Sequence, residues 1–217
     1  YDEMLEMASM GAKVLHIRSV EFAKKYNVPV HVRSSFENEP GTMVVKEDKS
    51  MEQVVVSGVA YSASDARITL AGLPDVPGVA ARIFAEIARE DIVVDMIIQG
   101  SSGDTGLANL SFTVPRADRK AAIRVLEGMK ANWESLEISS DENIAKVSVI
   151  GVGMRHHAGV AAKMFQALAN ENINIHMIST SEIKVSCVVD DLHTAKAVQI
   201  LHDEFELDQP LQYEIPE

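Results

Sequence analysis

The sequence of 217 residues has a single cysteine and one tryptophan, and its acidic residues outnumber its basic ones. One cysteine excludes a disulfide framework. Because Cys187 lies in the apolar run 183–189, we expect a buried strand thiol without a catalytic role. A net charge of −12 disfavours a nucleic-acid partner, since affinity for a phosphate backbone comes from clustered Lys and Arg. No apolar run approaches the roughly 20 residues of a membrane helix. We therefore expect a cytoplasmic protein with neither a nucleic acid nor a membrane as partner.

The chain contains an internal repeat, in which residues 72–84 align with 153–165 and residues 92–97 align with 173–178. Several positions are identical in both copies: Gly78 and Gly159, Val79 and Val160, Ala80 and Ala161, Phe84 and Phe165, Met96 and Met177. So dense a match indicates a duplicated structural unit.

Each copy predicts the element order β-α-β-β-α. The expected strands are 66–70, 93–99 and 107–114 in the first copy, and 146–150, 174–180 and 183–189 in the second. The first helices carry apolar residues at spacings of three and four, and the second helices span 117–130 and 192–205. One-sided helices need a sheet to cover, so we expect an α+β fold. Each copy is predicted to be a ferredoxin-like (βαββαβ) sandwich, with an antiparallel sheet and both helices on one face.

The sixth strand differs between the copies. Residues 133–139 close the first copy, whereas the tail 207–217 holds two prolines and predicts a poor strand. The strand-like run 53–60 precedes the first copy and has no other partner. We predict that it completes the second domain. The first domain is then inserted into the second, through linkers at 61–65 and 140–143.

Residues 1–50 lie outside the repeat. They predict a helix at 2–10, a turn at Gly11, a helix at 19–26, a strand at 30–34 and a loop at 37–42. A piece of this size cannot bury enough surface alone. The chain starts with Tyr1 inside an amphipathic pattern, so we expect a fragment or a small subunit. The predicted segments are 1–50, 64–140, and 52–63 together with 144–206.

Three stretches of residues 1–50, namely 8–16, 27–30 and 32–36, resemble the end of the amino-acid-kinase catalytic domain of the aspartate kinase family. The repeat resembles the two ACT domains of that family, most specifically at 149–155, 157–161 and 174–183. The resemblance covers the chain up to about its last ten residues. It implies a regulatory part with two tandem ACT domains, the first inserted into the second, that senses amino acids for feedback inhibition. It also implies dimerisation through the ACT domains, since open sheet edges tend to pair.

Two departures from the family pattern are Ile17 and Ala158, where many members carry proline. The family's Lys-Phe-Gly-Gly phosphate-binding motif is not found, and no other P-loop replaces it. We therefore assign no catalytic residue and expect no phosphorylation of aspartate by this chain alone. ATP and Mg²⁺ are expected only in a catalytic kinase domain or subunit, which is an expected partner.

The candidate effector sites are the glycine loops that precede the first helix of each copy. A helix N-terminus has unpaired N–H groups and the positive end of the dipole, which favour a carboxylate. Gly78 and Gly159 remove side-chain bulk, so a ligand could reach the amides of Val79 and Ala80, or of Val160 and Ala161.

The rest of each ligand needs polar partners. In the first site Asp75, Gln99 and Asn174, on the facing strand of the other copy, can hold an ammonium and a hydroxyl; Ile175 is included with Asn174. The resemblance makes threonine the expected occupant. In the second site Asp95, Ser102, Ser181 and Glu182 suit a long cationic side chain, and lysine is expected there.

Simpler interpretations compete with these assignments. Gly78 and Gly159 could be turn glycines only, and Asp95 could be an exposed strand carboxylate. His156 and His157 lack a third ligand, so no metal is assigned. Gly151-Val-Gly lacks the third glycine of a dinucleotide fingerprint. At the level of function, the alternatives are the C-terminal piece of a whole kinase and an ACT dimerisation module with no effector response.

Overall fold

The computed structural model describes residues 1–48, 54–101 and 103–209. The chain divides into two compact units. The first-repeat unit comprises Ala63–Ala145 and Asp190–Leu192, and the composite unit comprises Tyr1–Ser62, Lys146–Val189 and His193–Glu217. The composite unit thus combines the N-terminal segment with the second repeat. The limits of the three predicted segments stay a prediction.

The N-terminal segment forms α1 (Asp2–Ser9), α2 (Ile17–Tyr26), β1 (Val30–Val32) and β2 (Thr42–Val44). β1 pairs with β2 antiparallel, and Tyr1, Val20, Ala23 and Val44 form a small core. The prediction of a loop at 37–42 missed β2. The short strand forms because Gly41, at φ 77°, turns the chain back so closely that a Cβ there would meet the Val32 carbonyl. A third strand, β3 (Gly58–Ser62), follows later in the chain.

The first repeat forms β4 (Asp65–Pro74), α3 (Val79–Arg89), β5 (Asp95–Ser101), β6 (Leu107–Pro115), α4 (Arg119–Met129) and β7 (Glu137–Asp141). Its sheet is antiparallel, in the order β5-β6-β4-β7. Residues of β4 alternate between buried and half-buried positions, which is the pattern of a sheet with one covered face. Both helices contribute to that cover: Ile83 and Leu126 share a core with Ile68 and Phe112.

The second repeat forms β8 (Ile144–Ile150), α5 (Val160–Asn170), β9 (Met177–Thr180), β10 (Lys184–Asp190) and α6 (Thr194–Glu204). Its sheet has the order β3-β8-β10-β9. β3 runs antiparallel to β8, with Gly58 opposite Ile150 and Ser62 opposite Lys146. β3 therefore has the place beside the first strand of its repeat that β7 has in the first sheet.

The ends of β3 correct the predictions for 53–60 and 61–65. Among the described residues of the run 53–60, 54–57 are not in a strand, while Gln53 lies outside the described residues. Conversely, Tyr61 and Ser62 belong to β3 because β8 offers them the ladder partners Val147 and Lys146. The linker at 140–143 is shortened in the same way, since β7 continues to Asp141 opposite Arg67. Polar residues thus extend a strand where a neighbouring strand satisfies their backbone.

The second sheet is covered more completely than the first, because every residue of β8 is buried. On one face Val147 and Val149 join the core formed with α5 and α6. On the other face Ile150 packs with Ala60 and with Met10, which follows α1. Cys187 on β10 is fully buried, which confirms the expected strand thiol, and burial raises the pKa of Cys187 to about 12.

Candidate functional site

The first repeat contains a cavity of about 330 Å³ at the junction of β4 and α3. This volume lies at the lower end of the range for small-molecule sites. The cavity is lined by the β4–α3 loop, the first turn of α3, and residues of β5 and β6: Leu73, Pro74, Asp75, Val76, Pro77, Gly78, Val79, Ala80, Gln99, Ala108 and Leu110.

Gly78 opens the cavity onto the N-terminus of α3. It is the N-cap residue, at φ 94° and ψ −12°, and no side chain caps the helix. A Cβ at this position would meet no atom within 4 Å, so the space in front of the helix is free. The amides of the first turn therefore point to a place that an anion could occupy.

The polar groups of the cavity stand at its rim. The Asp75 amide donates to the Gly106 carbonyl at 2.9 Å, which fixes the loop against the turn before β6. Asp75 in the β4–α3 loop and Gln99 on β5 are both exposed, and both line the cavity. Below them Leu73, Ala108 and Leu110 are each 2% exposed and form an apolar floor. The cavity thus combines an uncapped helix N-terminus, a carboxylate, a side-chain amide and an apolar floor.

Five of the seven residues predicted for the threonine-like site line this cavity. The other two, Asn174 and Ile175, belong to the composite unit. The prediction placed Asn174 on a strand, but β9 begins at Met177, so Asn174 lies in the connection from α5. Ile175 is partly buried against the core of the second repeat, whose apolar packing sets the path of this connection. The apolar floor was not predicted, because nothing in the sequence distinguishes cavity-facing Leu and Ala from other core residues.

The corresponding junction of the second repeat is built differently. Gly159 has φ 99° and open space around it, like Gly78. Before it, however, Val152–His156 form a 3-10 turn, and Met154 packs against the second core. Arg155 Nη1 donates to Glu47 Oε1 at 2.9 Å, and its Nε lies 3.5 Å from Glu182 Oε2. Side chains of the N-terminal segment and of the turn between β9 and β10 therefore bind this loop.

The residues predicted for the lysine-like site are spread over both units. Val160 and Ala161 form the first turn of α5, and Ser181 and Glu182 lie in the turn between β9 and β10. Asp95 begins β5 in the first-repeat unit, where its carbonyl accepts from Thr113 Oγ1 at 2.9 Å. Ser102 lies outside the described residues.

A second cavity, of about 610 Å³, lies in the composite unit beside the N-terminus of α5. It is lined by residues 54–57, by residues 157–160 with Lys163, and by residues 205–207 with Gln209. Lys163 Nζ lies 5.1 Å from the centre of the Phe205 ring and donates to the Glu204 carbonyl at 2.5 Å. In the first repeat β7 follows α4 directly in the chain, whereas β3, its counterpart in the second sheet, does not follow α6. The second cavity lies between the end of α6 and the residues that lead into β3.

Two motifs set aside in the sequence have structural explanations. A Cβ on Gly151 would lie 2.3 Å from the Val55 carbonyl, so this glycine permits a close passage of the chain. His157 Nδ1 lies 2.7 Å from the Gly153 carbonyl, a contact within its own loop. No group of three His, Cys, Asp or Glu side chains suited to a metal occurs among residues 1–48, 54–101 and 103–209. Within the same ranges, no helix combines the length and apolarity needed to cross a bilayer.

The ACT domain family model matches residues 68–129 and 147–205, which are the two repeats. Together with the two antiparallel sheets, each covered by a pair of helices, this match defines an ACT-domain protein. The predicted fold class, with two ferredoxin-like domains and the first inserted into the second, is confirmed.

The relatives narrow this class to one family. An aspartate kinase of Stutzerimonas stutzeri is 52% identical over 97% of this chain and 51% of its own length. The ligand-free regulatory subunit of aspartate kinase from Thermus thermophilus is 40% identical, with a TM-score of 0.66, over 70% of this chain and 99% of that one. Aspartokinase III of E. coli, in complex with lysine and aspartate, is 25% identical with a TM-score of 0.69, over 94% of this chain and 44% of that one.

The chain belongs to the aspartate kinase family and represents its C-terminal regulatory part. It spans about half the length of the curated relatives it matches. The predicted resemblance is thereby confirmed.

Proposed function

We propose that this chain binds threonine in the cavity of the first repeat and transmits feedback inhibition to an aspartate kinase domain or subunit. That partner would hold ATP and Mg²⁺ and convert L-aspartate to 4-phospho-L-aspartate in the cytoplasm, the first step toward lysine and threonine. The observation that carries the proposal is the cavity itself. Five residues selected from the sequence for amino-acid binding line one space, in front of an uncapped helix N-terminus.

Each part of threonine has a matching group in the cavity. The carboxylate would accept from the amides of Val79 and Ala80, where the helix dipole adds a favourable charge. The ammonium would pair with Asp75, and the hydroxyl would bond to Gln99. The methyl group would rest on the apolar floor. Asn174 and Ile175 of a second copy of this chain would close the site, which is why we place it at an interface between ACT domains.

We propose lysine as a second effector, at the site of Asp95, Ser102, Ser181 and Glu182 with the amides of Val160 and Ala161. Support comes from the complex of the E. coli relative with lysine and from the Glu182 carboxylate, whose side chain is 84% exposed. Arg155 already lies 3.5 Å from that carboxylate. A lysine ammonium would compete with Arg155 for it, so we expect weaker binding of lysine than of threonine.

Calorimetry of the chain with each amino acid tests this proposal. Asp75→Asn removes the charge that faces the ammonium, so we expect threonine affinity to fall by about 10- to 100-fold, the range of a charge-assisted hydrogen bond. Gln99→Ala should weaken it less, because a neutral bond is lost. The matched control is Glu90→Gln, a carboxylate at the opposite end of α3, which should leave the affinity within about twofold. If neither amino acid binds at millimolar concentration, the sensor proposal is wrong.

An effector-independent dimerisation module is the second candidate function. It is favoured by the edge strand β5 and the residues before it, where Val93 and Ile97 are 70% and 54% exposed. Ile178 on the edge strand β9, at the repeat position of Ile97, is 41% exposed. A stable dimer whose sedimentation is the same with and without threonine, together with a blank calorimetric titration, would select this function.

The N-terminal segment supports a catalytic partner. Phe22, Tyr26 and Phe36 are 59%, 63% and 98% exposed, and the first two rings stack at 6.2 Å. Exposed aromatic side chains of this kind are typical of a docking surface. We propose that the kinase domain covers them. The coding sequence upstream of Tyr1 would distinguish a domain from a subunit, since a Lys-Phe-Gly-Gly segment in the same polypeptide would favour the domain.

A further inference from the structure

One face of α1 is bound to the second repeat. Glu3, Glu6, Met7 and Met10 recur at spacings of three and four, so they share this face. Glu3 Oε1 accepts from Ser57 Oγ at 2.5 Å and from the Val152 amide at 2.8 Å. On the same face, Glu6 forms an ion pair with Lys184 of the second sheet at 2.7 Å. Met7 and Met10 make apolar contacts there with Gly58, Ala60 and Ile150.

Arg155 makes a second link from the same loop. Its Nη1 donates to both carboxylate oxygens of Glu47, at 2.9 and 3.2 Å, and Glu47 lies just after β2 in the N-terminal segment. The two side chains are 32% and 23% exposed, so salt screens their interaction less than that of a fully exposed pair. Its Nε faces Glu182 in the turn between β9 and β10. Arg155 thus connects the N-terminal segment, the loop before α5 and the second sheet.

The aligned positions of the first repeat carry no cationic side chain. Val152 and Arg155 align with Ala71 and Pro74, and Pro74 instead lines the open cavity. After duplication, both junctions keep space in front of their helix, and the second junction also holds the N-terminal segment through its loop.

We infer that the β8–α5 junction, residues 151–159, is a coupling element that passes the state of the ACT domains to the N-terminal segment through Glu3 and Arg155. The junction leads directly into α5, whose other end leads to Asn174 and Ile175. A shift of α5 on effector binding would therefore change the positions of the Val152 amide and the Arg155 guanidinium, which Glu3 and Glu47 hold. Coupling of this kind requires two states that differ at these contacts. The inference rests on the proposed sensing function.

A ligand-free experiment tests the link itself. In the Glu3→Gln/Arg155→Gln double variant we expect amide exchange in α1 to be at least about tenfold faster than in the wild type. The reason is that Glu3 loses the charge that strengthens its bonds to Ser57 and the Val152 amide, and that position 155 no longer holds Glu47 by an ion pair. The matched control is Lys196→Gln, which removes an ion pair of similar length with Glu171 elsewhere in the composite unit. It should leave α1 unchanged. Exchange in α1 at the wild-type rate in the double variant would overturn the inference.

A second experiment adds threonine. In the wild type we expect threonine to slow or speed α1 exchange by at least about threefold, and in the double variant we expect this response to vanish while calorimetric affinity stays within about threefold. A full α1 response in the double variant would overturn the coupling role. If threonine does not bind at all, the proposed function fails, and the ligand-free experiment still decides whether the anchors exist.

Discussion

At the scale of single residues, two glycines of the β4–α3 region differ in what surrounds them. Gly72 and Gly78 both have positive φ, at 73° and 94°. A Cβ on Gly72 would lie 2.2 Å from the Ser135 carbonyl, whereas a Cβ on Gly78 would meet nothing within 4 Å. Gly72 is therefore needed for close packing, whereas Gly78 leaves open space in front of α3.

This contrast predicts different costs for two equal substitutions. Gly78→Ala should lower the free energy of unfolding by about 1 kcal/mol, the cost of a left-handed backbone for an alanine. Gly72→Ala should cost about 2 kcal/mol more, because a backbone atom must move as well. Urea unfolding followed by circular dichroism measures both. Equal costs would contradict the packing difference.

Gly78→Ala should also weaken threonine binding, since the methyl group enters the proposed carboxylate site.

The raised pKa of Cys187 predicts a pH dependence of stability. The folded thiol has a pKa of about 12 against an ordinary value of 9.0, so its contribution is present below pH 9 and is lost as pH rises toward 12. Between pH 7 and pH 10 the wild type should lose about 1.4 kcal/mol that Cys187→Ala does not lose. The difference between their urea midpoints at the two pH values isolates this thiol from other titrating groups. A constant difference would show that the thiol ionises as easily in the folded protein as in the unfolded one.

At the scale of elements, each repeat has a cation on its first helix that contacts an aromatic ring just after its second helix. Arg82 on α3 lies 5.5 Å from the ring of Trp133, and Lys163, at the aligned position on α5, lies 5.1 Å from Phe205. Trp133 is followed by a turn that leads to β7, with Leu136 in the core. Phe205 instead lines the second cavity, because the strand that completes the second sheet, β3, does not follow α6 in the chain.

The two rings should therefore differ in their contribution to stability. Trp133→Ala should cost about 3–5 kcal/mol, the range for a large buried aromatic residue, whereas the half-buried Phe205 should cost about 1–2 kcal/mol. Unfolding in urea is followed by circular dichroism, because Trp133→Ala removes the single tryptophan and with it the fluorescence signal. Leu192→Ala, at a position 74% exposed, is a control expected within about 0.5 kcal/mol. A larger loss for Phe205→Ala than for Trp133→Ala would contradict this account.

At the scale of the whole molecule, both sheets end in an edge strand with an exposed isoleucine, Ile97 on β5 and Ile178 on β9. Gln99, two residues after Ile97, lines the first cavity. A partner chain that paired with this edge would stand beside the cavity. Association and effector binding are therefore linked in our proposal.

This link predicts a joint effect of one substitution. Ile97→Lys should raise the dimer dissociation constant at least about tenfold, since a desolvated charge at an interface costs more than 1.4 kcal/mol. It should also weaken threonine binding, although residue 97 does not line the cavity. Sedimentation velocity and calorimetry measure the two effects, and Leu192→Lys serves as a control at an exposed apolar residue outside the strands. A wild-type chain that is monomeric at micromolar concentration would refute the proposed dimer.

Sequence patterns were sufficient for the elements that repeat. The alternation in β4, the apolar stripes of α3 and α5, and the glycine before each helix are local features, and each follows from the period of a strand or a helix. Strand ends were less accurate. β9 begins three residues later than predicted, and β3 extends into the predicted linker, because hydrogen bonds to a neighbouring strand decide where a strand ends.

The sequence shows that Arg155 of the second junction aligns with Pro74 of the first, but the local pattern does not show which residues Arg155 binds. The second loop is bound by distant residues, Glu3 and Glu47. Both belong to the N-terminal segment, which lies outside the repeat. Duplication and family membership were therefore determined by residue order alone. The contacts that tie the second junction to the N-terminal segment were decided by folding, since only the folded chain brings carboxylates more than a hundred positions away to Val152 and Arg155.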